Sequence, residues 1–141
     1  MRWVVDTCVI IDVLDRVPVF AELSANALDA KCGDGLLIAP TSFVELAPAF
    51  NADVDEQMVF LSRLGIGVEF GEDRDAVLAA HRAWHAHICR KHAGMERKRP
   101  IADVMIGAYA LSRGGLITRN EDDFRSLYPG LAIYNPVRPN V

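Results

Sequence analysis

A chain of 141 residues, 51% hydrophobic and 24% charged, has the composition of one globular domain with a single substantial core, and residues 1–141 are read as that one domain. Its formal net charge of −4 and pI near 5.5 exclude a protein that coats nucleic acid through an overall basic surface. No apolar run reaches the roughly 18–20 residues of a membrane span, and Asp6 breaks the N-terminal stretch where a signal peptide needs an unbroken apolar centre, so a soluble cytoplasmic protein without a membrane partner is expected.

In chain order, "WVVD" (3–6) is short, β-branched and apolar, the pattern of a buried strand. A helix is expected from Pro18 to Cys32, with Pro18 in its first turn and "CGDG" as its stop. "LLIA" (36–39) reads as the second buried strand. A helix then starts at Thr41 or Ser42, and Pro48 must kink or restart it. Residues 54–64 have helical spacing, "IGVEF" (66–70) resembles a strand, and 73–92 make a long helix with Val77, Trp84 and Ile88 inward. Pro100 opens another helix that "RGG" closes at 113–115, and "LIT" (116–118) and "LAIY" (131–134) are the last strands. Strands alternating with helices predict an α/β fold, a three-layer α/β/α sandwich around a mainly parallel sheet. Cys8, Cys32 and Cys89 are odd in number and too widely spaced for a CxxC motif, which fits a reducing compartment and predicts buried free thiols.

Asp6 poses the first chemical question, because burying an unpaired charge in an apolar strand is costly. Open parallel sheets bind ligands at the carboxyl ends of their strands, where Asp6 closes the first one. Glu45 follows the second strand on the first helical turn and is placed to reach the same edge; it also completes S-x-x-E with Ser42, so a capping box is the competing role. Asp103 shares a helix face with Ile106, Gly107 and Ala110, one turn after Pro100, where a helix N-terminus favours a carboxylate. "LITRNEDDF" (116–124) ends a strand in Thr118 and sets Asn120 at an N-cap position with Asp123 three residues on. There, capping competes with a site lined by Thr118 and Asn120, to which Asp122 or Asp123 adds a carboxylate.

"RKHAGMERKRP" (90–100) concentrates five Lys/Arg against one Glu, either a solvated loop or an edge that contacts phosphate. His81, His85 and Cys89 recur at steps of four but lack a fourth zinc ligand nearby, so they read as a polar flank.

"VVDTCVIIDVL", "SFVEL", "PIADVMIGAYAL" and "LITRNEDDF", in this order and at these separations, resemble the PIN-domain family, and especially the VapC-type toxin ribonucleases of toxin–antitoxin modules. The likeness spans nearly the whole chain. It implies a metal-dependent endoribonuclease whose acids fall on Asp6, Glu45 and Asp103, with an RNA substrate, a cognate antitoxin in the active-site groove and a homodimer. Many PIN domains carry an aspartate where this sequence has Asn120; Asp123, in a "TRN..DF" arrangement seen in many VapC toxins, takes the fourth place, with Asp122 as the alternative. Crowded carboxylates of this kind either hold protons or bind a hard divalent cation, Mg²⁺ with Mn²⁺ as a substitute. Thr7 then orients a ligand, and Arg97, Lys98 and Arg99 contact substrate phosphates.

Two other classes compete. A receiver-like Mg²⁺-binding module needs a strand-end lysine, but "LAIY" is followed by Asn135 and Pro136, and "DTCVI" excludes a DxDxT phosphatase. A PIN-like scaffold that binds RNA without cutting it is the remaining alternative, and the intact Asp6, Glu45 and Asp103 argue against it.

Overall fold

Five short strands, β1 (Arg2–Val5), β2 (Leu36–Ile38), β3 (Ile66–Val68), β4 (Gly114–Ile117) and β5 (Ala132–Tyr134), pair in the order β3-β2-β1-β4-β5 in a computed structural model that describes residues 1–71, 73–94 and 100–139. Every pairing is parallel. The order reverses at β1, which runs between β2 on one side and β4 on the other.

Both faces of the sheet are covered, which is why its strands read as apolar runs rather than alternations. On one face Val4, Leu37 and Leu116 pack with residues of α5 (Arg74–His92), α6 (Ile101–Arg113) and α7 (Glu121–Leu127). On the other, Trp3, Val5, Leu36, Ile38 and Ile117 pack with α1 (Thr7–Leu14), α2 (Phe20–Lys31) and α4 (Val54–Arg63), and with Leu46 and Phe50, which follow the short α3 (Pro40–Glu45). The expected three-layer α/β/α sandwich is therefore observed. Among the described residues no helix is long and apolar enough to cross a membrane.

Several element boundaries differ from the sequence reading, each for a local reason. Residues 7–14, to which the sequence assigned no element, form α1: "TCVIIDVL" is too uniformly apolar to show a helical period, and the helix is set by its cap and by burial of Val9, Ile10 and Asp12. The second helix starts at Phe20 rather than Pro18, because Val19 adopts φ 71 and turns the chain first. α3 starts at Pro40, whose ring presets a helical φ, with Ala39 extended before it, and Pro48 restarts the chain as a 3-10 turn at Ala47–Phe50. Val77 is exposed rather than inward; the inner stripe of α5 is Ala76, Ala80 and a fully buried His87, with Trp84 and Ile88 only half-buried. Cys32 and Cys89 are exposed, not buried, and Cys8 is half-buried.

Gly114 ends α6 at φ 148, and a Cβ there would stand 2.6 Å from the Arg2 carbonyl oxygen, so the "RGG" stop also permits β4 to lie against β1. Gly107 is the other close approach. A Cβ on it would sit 2.5 Å from the Tyr128 ring, whose hydroxyl donates to the Val104 carbonyl at 2.6 Å. Gly107→Ala should gain about 1 kcal/mol of helix propensity and lose about 1–3 kcal/mol to overpacking. The melting temperature should fall in spite of the better helix former; an unchanged or higher one would show that Tyr128 yields freely.

Candidate active site

The site begins where β1 ends. The Asp6 N–H still donates to the Ile117 carbonyl of β4 at 3.0 Å, so the residue is fixed at the junction of the two central strands. Its extended backbone (φ −68, ψ 150) makes it the N-cap of α1, and its Oδ1 accepts the Thr7 N–H at 2.8 Å. Its Oδ2 accepts the Thr118 hydroxyl at 2.7 Å and the Cys8 thiol at 3.4 Å, while the residue is only 4% exposed. Thr118 lies just past β4, fully buried, with its N–H on the Tyr134 carbonyl. Its Oγ1 accepts the Asn120 N–H at 3.0 Å, so the Thr118 hydroxyl proton is left to point at Asp6.

Glu45 is the exposed last residue of α3, and its Oε1 accepts the Thr7 hydroxyl at 2.8 Å. Thr7 thereby joins two carboxylates, through its N–H to Asp6 and its hydroxyl to Glu45. The capping box is not formed. The early start of α3 puts Ser42 inside the helix, where its buried hydroxyl has no hydrogen-bond partner among the described residues.

Asn120 occupies the N-cap position of α7 without a side-chain capping bond, contrary to the capping reading, and it is exposed. With Arg119, Glu121, Asp122, Asp123 and Arg138 it lines an open polar cleft of about 170 Å³. Asp122 is exposed and Asp123 half-buried, both in the first turn of α7. Asp103 sits half-buried in the first turn of α6, the helix that packs against β1 and β4. The structure thus brings Asp6, Thr7, Glu45, Thr118 and the Asn120 backbone into one hydrogen-bonded network and gathers Asn120, Asp122 and Asp123 around a neighbouring cleft. It does not draw the four expected acids into a ready cage: among the described residues, no three His, Cys, Asp or Glu side chains stand together in a metal-holding arrangement.

Burial pushes the Asp6 carboxyl above the ordinary carboxylate range, outweighing the bonds from Thr118, Cys8 and Thr7, and the charge of Glu45 adds to the rise. Burial, helped by the charge of Asp6, pushes the Cys8 thiol up to about 12. The thiol therefore stays protonated at neutral pH and serves as a donor, not as a thiolate ligand or nucleophile. Two carboxylates within electrostatic reach, joined by a hydroxyl and next to a protonated thiol, are an oxygen donor set that suits a hard divalent cation.

Sequence reading missed a second buried acid on α1. Asp12 is 2% exposed and takes a bidentate pair of hydrogen bonds from Arg119, at 2.7 and 3.0 Å, and a third from the Ser24 hydroxyl at 2.9 Å. The available signal was a charge inside an otherwise apolar run. Arg97, Lys98 and Arg99, expected to contact substrate, lie outside the described residues. Of the imidazole and thiol stripe on α5, Cys89 stands 3.8 Å from His85 Nε2, within a solvent-exposed flank.

Comparison with curated proteins finds no match. Among solved structures, the chain is similar to VapBC2 from Rickettsia felis bound to a DNA fragment from their promoter, with a TM-score of 0.69 and 17% identity, covering 96% of this chain and 98% of that one. That likeness is one of fold. The PIN domain family model matches residues 3–128, the span from the first strand through α7 that carries every acid considered above. The chain belongs to the PIN domain family.

Proposed function

We propose that the chain is a divalent-metal-dependent endoribonuclease of the VapC toxin type, working as one domain and a homodimer in the cytoplasm and neutralised by a cognate antitoxin. The observation that carries this reading is the network in which Thr7 joins Asp6 to Glu45 at the carboxyl end of β1, beside the switch in strand order. PIN membership and the likeness to a VapBC2 structure support it. RNA as the substrate rests on the resemblance to VapC toxins.

Asp6, Glu45, Asp103 and Asp123 are the proposed ligands of Mg²⁺, with Mn²⁺ as a substitute. Such a cation, when bound, acidifies an attached water and screens a scissile phosphate. Asp6 has three of about four acceptor positions occupied, by Thr7, Thr118 and Cys8, so one remains for a further partner. Thr7 and Thr118 hold that carboxylate in place. Glu45 stands exposed beside it, and Asn120 and Asp123 line the open polar cleft at the start of α7.

Asp6→Asn, Glu45→Gln and Asp103→Asn should each lower cleavage of RNA in Mn²⁺ by about 10²–10³-fold, the range for removing one group that stabilises developing charge. Asp123→Asn should cost less than these and more than Asp122→Asn. Mapping new ends in total RNA reads this directly, and near-wild-type cutting by all three variants would overturn the assignment of these acids to the site.

Stability gives a test that does not depend on turnover. Asp6 is desolvated and repelled by Glu45, so Asp6→Asn should melt above wild type in EDTA, by about 2–6 °C for a gain of the order of 1 kcal/mol. Mn²⁺ should stabilise wild type more than the variant. A variant that melts lower in EDTA, with no response of either protein to Mn²⁺, would make Asp6 a purely structural cap.

Replacing Arg97, Lys98 and Arg99 together by Ala should weaken RNA binding and reduce the slope of log affinity against log salt by about 2, three single-strand phosphate contacts at about 0.7 each. An unchanged slope would remove these three residues from the RNA-binding surface.

A further inference from the structure

Asp12 and Arg119 form a largely enclosed ion pair, and neither is among the metal ligands proposed above. Asp12 is 2% exposed; Arg119 Nε and a terminal nitrogen reach its two oxygens at 2.7 and 3.0 Å, Ser24 adds a bond at 2.9 Å, and the guanidinium lies 4.2 Å over the Phe20 ring. Arg119 is the residue between Thr118 and Asn120. Its backbone neighbours are therefore the hydroxyl that bonds Asp6 and the N–H that bonds that hydroxyl. Asp12 is one and a half turns along the helix that Asp6 caps.

α1 and the segment after β4 are thus tied at the site, by Asp6–Thr118 with the Cys8 sulfur 3.9 Å from Thr118 Oγ1, and again behind it by Asp12–Arg119. The Asn120 N–H on Thr118 Oγ1 restrains that hydroxyl from the side opposite Asp6, and its position depends on where residue 119 is held. A bidentate, stacked arginine is a rigid anchor for such a purpose. Asp12 holds Nε and one terminal nitrogen of that fork, while the rest of the side chain borders the open cleft that Arg119 lines with Asn120 and Asp123.

We infer that Asp12 and Arg119 are positioning residues, which act through the backbone of residues 118–120 to hold the Thr118 hydroxyl on the Asp6 carboxylate. The inference deepens the nuclease reading and rests on it.

The test compares wild type with Asp12→Asn, Arg119→Lys and Arg119→Gln, and with Leu61→Ala, a core truncation on α4 beside the edge strand β3 that lowers stability elsewhere. All are measured below their melting transitions. Amide hydrogen exchange at Asn120 should quicken roughly tenfold or more in the three pair variants and stay near wild type in Leu61→Ala. In Mn²⁺, kcat on RNA should fall about 10–100-fold, the usual effect of losing a supporting contact to a ligand, with KM little changed. Ser24→Ala keeps both charges and removes one bond to Asp12, so it should show a smaller change in the same direction should the stronger variants fail to fold. Equal losses of Asn120 protection and kcat in Leu61→Ala would reduce the pair to a stabilising contact. That result overturns the inference alone, whereas a wild type that binds RNA without cutting it overturns the nuclease reading and the inference together.

Discussion

Thr118 Oγ1 donates to Asp6 Oδ2 over 2.7 Å, and through that bond the two central strands end in a shared polar group rather than in two separate loops. The bond is possible because β1 and β4 are parallel and in register, with Val5 opposite Ile117, so the next residue on each strand falls at the same height. It is directional because the Asn120 N–H already occupies the hydroxyl from the other side. Helix α1, the start of α7 and, through Thr7, the end of α3 all take their bearings from this point.

Two acids on α1 meet burial in opposite ways. Asp12 has a guanidinium on both oxygens and a hydroxyl besides, so its charge is matched where it stands. Asp6 is bonded by neutral donors alone, and burial therefore holds its proton affinity high. A carboxylate hydrogen-bonded by dipoles and only distantly by charge is electrically incomplete, and this contrast between the cap of α1 and a position six residues on is the physical reason to look for a cation at Asp6 and not at Asp12.

Much of this was legible in the sequence. Apolar triplets spaced by helical stretches announced a parallel sheet covered on both faces, and an acid at the end of the first strand was out of place unless the fold had a use for it. Thr118 could be named because it follows a strand in the same way. What the sequence hid was decided by packing or by short-range backbone choices. "TCVIIDVL" has no polar face from which to read a helix; Pro40 moved the start of α3 and with it the role of Ser42; and Val77 lost the inner face of α5 to smaller alanines and His87. The partner of Asp12 lies 107 positions away, and no local pattern announces a contact at that separation. Thr7 could be named as a residue that orients a ligand, but not as the one that joins Asp6 to Glu45, because its hydroxyl partner lies 38 positions away.

The strand at the centre of the sheet is made long before its partner across the site. Asp6 and Thr118 are 112 residues apart, so during synthesis at about 5–20 residues per second the first strand waits roughly 6–20 s for the residue that completes its polar junction. For that interval the nascent chain can pair β1 with β2 and β3, but it has neither the Thr118 hydroxyl nor the Arg119 anchor. An activity built on this junction is consequently silent on the ribosome and arises only when the C-terminal third of the chain has emerged and docked.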